Sequence, residues 1–107
     1  MKISYLFLAL LMPVAAFAED IATYTLVLKD HRFQPAELTV PAGRKIKLLI
    51  ENKDDTSDEF ESFPMNREKV LPGQRTTTIF IGPLEEGRYP YIGEFAEETA
   101  KGVIIAK

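Results

Sequence analysis

Apolar and polar residues alternate with a period of two along most of the chain, and that period predicts strands. Ala22-Thr23-Tyr24-Thr25-Leu26-Val27-Leu28-Lys29 is the first such run, rich in β-branched and aromatic residues. Asp30-His31-Arg32-Phe33-Gln34-Pro35 breaks the alternation, and Glu37-Leu38-Thr39-Val40 resumes it. Pro41-Ala42-Gly43 places proline and glycine where a β-turn uses them. Lys45 to Glu51 puts Ile46, Leu48 and Ile50 on one face, which predicts a central strand with Lys45 and Lys47 in solvent.

The segment Ser57 to Met65 opens a further strand. It is followed by the strand-forming stretch Asn66 to Val70, the turn Pro72-Gly73 and the strand Arg75 to Ile81. After the loop Gly82 to Gly87, Arg88-Tyr89-Pro90-Tyr91-Ile92 sets both tyrosines on one face, and Gly102 to Ala106 closes the chain. Pro90 has no N–H to give a ladder, which predicts an edge strand or a bulge there. Helical composition is confined to Glu94 to Lys101, enough for one or two turns. Six or seven short strands with turn signals between them predict an all-β, antiparallel two-sheet sandwich with at most one short helix near residues 94–101. The chain shows no internal repeat, low-complexity tract or linker, so one domain is expected over residues 19–107.

The first eighteen residues read differently. Lys2 supplies a charged start, Ile3 to Leu11 form a short apolar run, and Ala16-Phe17-Ala18 is a small-x-small cleavage site. A cleaved signal peptide over residues 1–18 and export from the cytoplasm are expected; an uncleaved anchor or a buried helix is the alternative. Lys2 is the only charged residue of the leader, so cleavage moves the net charge from −3 to about −4. An acidic chain is a poor match for nucleic acid. The chain has no cysteine, so an exported domain of this size depends on packing, or on a bound metal, where many of its kind use disulfides.

Candidate chemistry is concentrated in the segment opening the fourth run. Asp58, Glu59, Glu61 and Met65 offer oxygen and sulfur donors within eight residues, directly after the loop Lys53-Asp54-Asp55-Thr56. A divalent cation fits such a donor set. The competing reading is an ordinary half-buried strand with Glu59 and Glu61 on its wet face and Phe60 beneath. Met65, between Pro64 and Asn66, is read as a core filler, and Tyr24, Tyr89 and Tyr91 as core or tyrosine-corner residues. Arg32, Arg67 and Arg88 are expected as surface partners of the many acids. No Ser-His-Asp set, phosphate-cradling glycine loop or zinc signature is present.

In order and spacing the pieces resemble the cupredoxin superfamily. They are Phe33-x-Pro35, Val40-Pro41-Ala42-Gly43, a hydrophobic strand ending at Asn52, the Asp58-Glu59-Phe60 strand, Pro72-Gly73 and Gly87-Arg88-Tyr89-Pro90-Tyr91. The resemblance implies a Greek-key cupredoxin-like sandwich. It also shows what is missing. Where the blue copper members carry their first histidine this chain has Asp58, where they carry the cysteine it has Gly93, and the loop from Glu94 to Gly102 holds neither histidine nor methionine. Without a thiolate a blue copper centre is excluded.

The sequence is more similar to the cysteine-free, EfeO-type cupredoxin-like domains, through Glu59-Phe60-Glu61-Ser62, Asn66-Arg67-Glu68-Lys69-Val70, Gly93-Glu94-Phe95 and Thr99-Ala100-Lys101-Gly102. Small members of that group resemble the cupredoxin component of Ftr-type ferrous iron uptake systems. The resemblance implies a periplasmic location and, as partners, a periplasmic iron-binding protein and an iron permease. Relatives carry histidines near Phe63 and in the loop held here by Ala96; this chain does not. The cupredoxin topology implies that His31, the only histidine, lies at the same end as Asp58, Glu59, Glu61, Glu94 and Glu98. These six form the candidate ligand set for Cu²⁺, Mn²⁺ or Fe²⁺. The alternatives for the outlying members are a solvated loop histidine and acids that favour the start of a short helix. The implied function is metal binding in service of ferrous iron uptake. A copper-dependent, ferroxidase-like role and a metal-free interaction domain are the alternatives.

Overall fold

The computed structural model describes residues 21–107; the expected signal peptide lies outside them. The described residues contain nine strands: β1 (Ala22–Lys29), β2 (Arg32–Gln34), β3 (Glu37–Val40), β4 (Ile46–Asn52), β5 (Asp58–Ser62), β6 (Arg67–Leu71), β7 (Arg75–Ile81), β8 (Gly87–Gly93) and β9 (Lys101–Ala106). They form a four-stranded sheet in the order β2-β1-β4-β7 and a five-stranded sheet in the order β3-β9-β8-β5-β6. The expected helix is a single 3₁₀ turn, Glu94–Ala96, between β8 and β9. The extra strands beyond the expected six or seven include the three-residue β2, too short to leave a periodic signal.

The alternation along β1, β4 and β5 gives each of the two sheets one buried face, as predicted. Ile46, Leu48 and Ile50 of β4 and Leu26 and Leu28 of β1 are fully buried, and they meet Phe60, Leu71, Tyr91 and Ile104 from the other sheet. Phe33, Phe60 and Tyr91 form an aromatic cluster inside this core. Phe60 stacks on Tyr91 at 4.9 Å between ring centres, and Phe33 meets Tyr91 edge-on at 5.1 Å. Such pairs add about 0.5–1.5 kcal/mol each beyond the area they bury.

Two features differ from the sequence-based expectation. The sheets are mixed, because β1 pairs with β4 and β3 with β9 in parallel. Periodicity reports which face a residue takes, not strand direction; the chain crosses from one sheet to the other at Pro35-Ala36 and so returns beside β1 running the same way. Pro90 is in a central strand, not at an edge. Val103, its register partner on β9, sends its own N–H to Ala36 O on the far side, so Pro90 faces β5. The β5–β8 ladder has only two rungs, Phe60↔Gly93 and Glu61↔Ile92, and ends before proline would have to donate. The Ser62 hydroxyl donates to Pro90 O at 2.9 Å and completes the contact.

Tight turns set the ends of the sandwich. Asp30 and His31 join β1 to β2 with φ of 51° and 57°, the left-handed pair that a two-residue hairpin requires. The Asp54 carboxylate accepts both of their N–H groups, at 2.7 and 3.0 Å. Tyr89 donates to Glu85 O at 2.7 Å, a tyrosine-corner contact. Arg88 pairs with Glu37 as a surface ion pair, whereas Arg67 donates to Phe80 O and so ties β6 to β7 across the two sheets.

Candidate metal centre

On β5, Asp58, Phe60 and Ser62 point inward and Glu59 and Glu61 outward. The hairpin closed by Asn66, at φ 52°, folds β6 back so that Glu68 lies directly opposite Glu61 and Val70 opposite Glu59. Like charges placed so are unfavourable in a sheet. The 3₁₀ turn then brings Glu94 over the same face. Carboxylate oxygens of Glu59, Glu68 and Glu94 lie within 4.8 Å of one another.

The electrostatics follow from that crowding. The Glu59 carboxyl is pushed up from 4.5 to about 7, first by a hydrogen bond shared with Glu68, then by desolvation and by the charges of Glu68 and Glu94. Glu61 is raised by desolvation first and by the charges of Glu94 and Glu68 next. The Arg88–Glu37 ion pair and the His31–Asp54 contact involve none of these four glutamates. Protonation of Glu59 relieves part of the repulsion, and a bound cation would relieve more.

The expected ligands are distributed unevenly around this cluster. Glu59 and Glu94 are in it, and Glu61 lies on the same face. His31 sits on the β1–β2 turn with Nδ1 3.8 Å from Asp54 Oδ2. It borders a broad depression of about 620 Å³ shared with Glu94, Glu97 and Glu98, and neither His31 nor Glu98 joins the cluster. Asp58 faces the interior. Its Oδ1 accepts the N–H of Glu59 at 2.7 Å and of Phe95 at 3.0 Å, while Oδ2 is buried without a partner. Met65 is in the core, as expected. Glu68 was not among the expected ligands; the signal for it is the short Phe63–Asn66 turn, which fixes the register that sets residue 68 against residue 61.

A scan against family models matches residues 2–106 to the cupredoxin-like domain. The chain belongs to the cupredoxin-like family. This cupredoxin-like chain is 40% identical over 87 residues to an uncharacterized protein of Rickettsia prowazekii, covering 81% of this chain and 70% of that protein. Among solved structures it is similar to auracyanin A, a blue copper protein of Chloroflexus aurantiacus, at 15% identity and a TM-score of 0.67, over 82% of this chain and all of that one. It is also similar to the metal-binding domain of a Streptococcus pneumoniae Cu(I)-exporting P-type ATPase, at 13% identity and a TM-score of 0.63, over 79% of this chain and 84% of that one. At such identities the likeness shows the fold alone.

The interior of this cupredoxin-like chain does not fit a copper–thiolate centre. No cysteine is present, and a Cβ added at Gly93 would overlap Asp58 Oδ2 and come within 2.8 Å of Ala100 Cβ. The outward cluster has a different chemistry: hard carboxylate oxygens, open to solvent on one side, a donor type that suits Mn²⁺ or Fe²⁺ by ligand hardness.

Proposed function

We propose that this protein binds a divalent transition metal through Glu59, Glu68 and Glu94, with Glu61 beside them, and serves ferrous iron uptake outside the cytoplasm. The approach of three carboxylates to within 4.8 Å carries the reading. Two of them sit on paired strands and the third on a turn pinned to the same sheet, so the donors are held by the scaffold and not by a mobile tail. Binding would displace the Glu59 proton, leaving carboxylate oxygens to face the ion. Its role is that of an accessory module that accepts the metal and passes it to a periplasmic iron-binding protein and an iron permease. The similarity of Glu59-Phe60-Glu61-Ser62 and Gly93-Glu94-Phe95 to the cysteine-free, EfeO-type domains supports that assignment.

Calorimetric titration of the mature chain with Mn²⁺, Cu²⁺ and anaerobic Fe²⁺ tests the site. Saturable binding is expected with each metal, and the Glu59→Gln/Glu94→Gln double variant should lose it. Binding left intact in that variant would move the site elsewhere. The location is tested separately by mass spectrometry of protein from the periplasmic fraction, where a chain beginning at Glu19 is expected. Met1 retained on a membrane-bound product would overturn export by cleavage.

A further inference from the structure

Two of the three clustered carboxylates, on Glu59 and Glu94, come from segments far apart in sequence, and the regular ladder that joins those segments stops short of them. The last rung between β5 and β8 is Phe60↔Gly93, and no further register pair holds the turn that follows it. One side chain extends the contact past that rung, to Phe95. Asp58, 3% exposed, accepts the N–H of Glu59 and the N–H of Phe95 on the same oxygen. Those two N–H groups belong to one ligand-bearing residue and to the residue next to the other. Gly93 is what permits the approach, since any Cβ there would collide with the second Asp58 oxygen.

We propose that Asp58 is the positioning residue of the outer carboxylate site: through Oδ1 it locks the Glu94–Ala96 turn onto β5 and so holds Glu94 beside Glu59 and Glu68. Asp58 is therefore not itself a ligand, and the space behind Gly93 is closed to metal by the carboxylate that fills it. The inference rests on the reading of Glu59, Glu68 and Glu94 as a metal site. A residue that orients ligands without touching the ion typically contributes about 10- to 100-fold in metal affinity.

Asp58→Asn keeps an oxygen that can accept both N–H groups, and Asp58→Ala does not; both lose the charge, so a difference between them reports geometry. In Mn²⁺ titrations of the folded proteins, Asp58→Ala should bind at least about tenfold more weakly than the wild type, and Asp58→Asn close to it. Equal weakening in both variants, or wild-type affinity in Asp58→Ala, overturns the proposal. Should Asp58→Ala fail to fold, Gly93→Ala takes its place. It keeps the carboxylate but displaces it, and should show the same loss together with faster hydrogen exchange at the Phe95 amide; unchanged Mn²⁺ affinity overturns the proposal. Should the wild type itself take up no Mn²⁺, the proposed function fails, and positioning is then read without metal. Nuclear Overhauser contacts between the side chains of Glu94 and Glu59 should be present in the wild type and Asp58→Asn and absent in Asp58→Ala or Gly93→Ala; their persistence in the last two overturns the proposal.

Discussion

At Glu59 a shared hydrogen bond with Glu68, desolvation and the neighbouring charges lift the carboxyl from 4.5 to about 7. Because the raised value belongs to the folded state, the native protein holds more protons than the unfolded chain between those pH values. The contribution of Glu59 therefore makes stability fall as pH rises from about 4.5 through about 7. Glu59→Gln should flatten that part of the profile in thermal melts recorded across the window. Metal binding has the opposite dependence, since protons compete with the cation: Mn²⁺ affinity should weaken as pH drops below about 7. Glu68→Gln should bring the Glu59 titration, followed by carboxyl carbon resonances, back towards its ordinary range, because it removes a neighbouring charge and offers an amide that can donate to the ionised Glu59. Tyr91 carries a cost of another kind. Its hydroxyl is buried without a partner, and burial raises its pKa. Removing an unsatisfied buried polar atom while keeping the ring relieves a cost, so Tyr91→Phe should be stabilising by about 1 kcal/mol, read as a higher Tm.

Among the elements, β5 has the most to do: its inner face supplies Phe60 to the core and its outer face supplies Glu59 and Glu61 to the acidic cluster. Truncating Phe60, which is fully buried between Phe33 and Tyr91, should cost about 3–5 kcal/mol. Against a stability of about 5–15 kcal/mol for a domain of this class, Phe60→Ala should leave a protein folded only marginally, as denaturant unfolding would show. The β5–β6 hairpin is held at its mouth by the Ser62 hydroxyl, which donates to Pro90 O and accepts from Met65 N–H. That small set of bonds keeps Glu68 in register with Glu61.

For the whole molecule, a metal that binds only the folded state stabilises it by about 2.7 kcal/mol at a hundredfold excess over Kd. In a domain this small that corresponds to a Tm rise of order 10 °C. Mn²⁺ should produce that rise in the wild type and none in the Glu59→Gln/Glu94→Gln variant. The copper complex should lack the intense absorption of a copper–thiolate bond, because the chain has no cysteine to supply one. A strongly coloured blue complex would refute the carboxylate site.

Much of this was decided locally. The period-two runs determined β1, β4 and β7 and the inward placement of Phe60, because a strand with one buried face must alternate; the absence of cysteine excluded thiolate copper outright. The spacing of Glu59 and Glu61 put both on one face, and their identity as acids set the class of ion. Strand direction lay beyond reach, since a parallel and an antiparallel neighbour leave the same alternation. So did the partition of one segment's acids: Asp58 and Glu59 are adjacent in the chain, yet the pleat sends the first into the interior as a backbone acceptor and the second to the surface beside Glu68 and Glu94. Only the folded sheet, by pairing β5 with β6 and lowering the Glu94 turn onto it, decides which carboxylates meet.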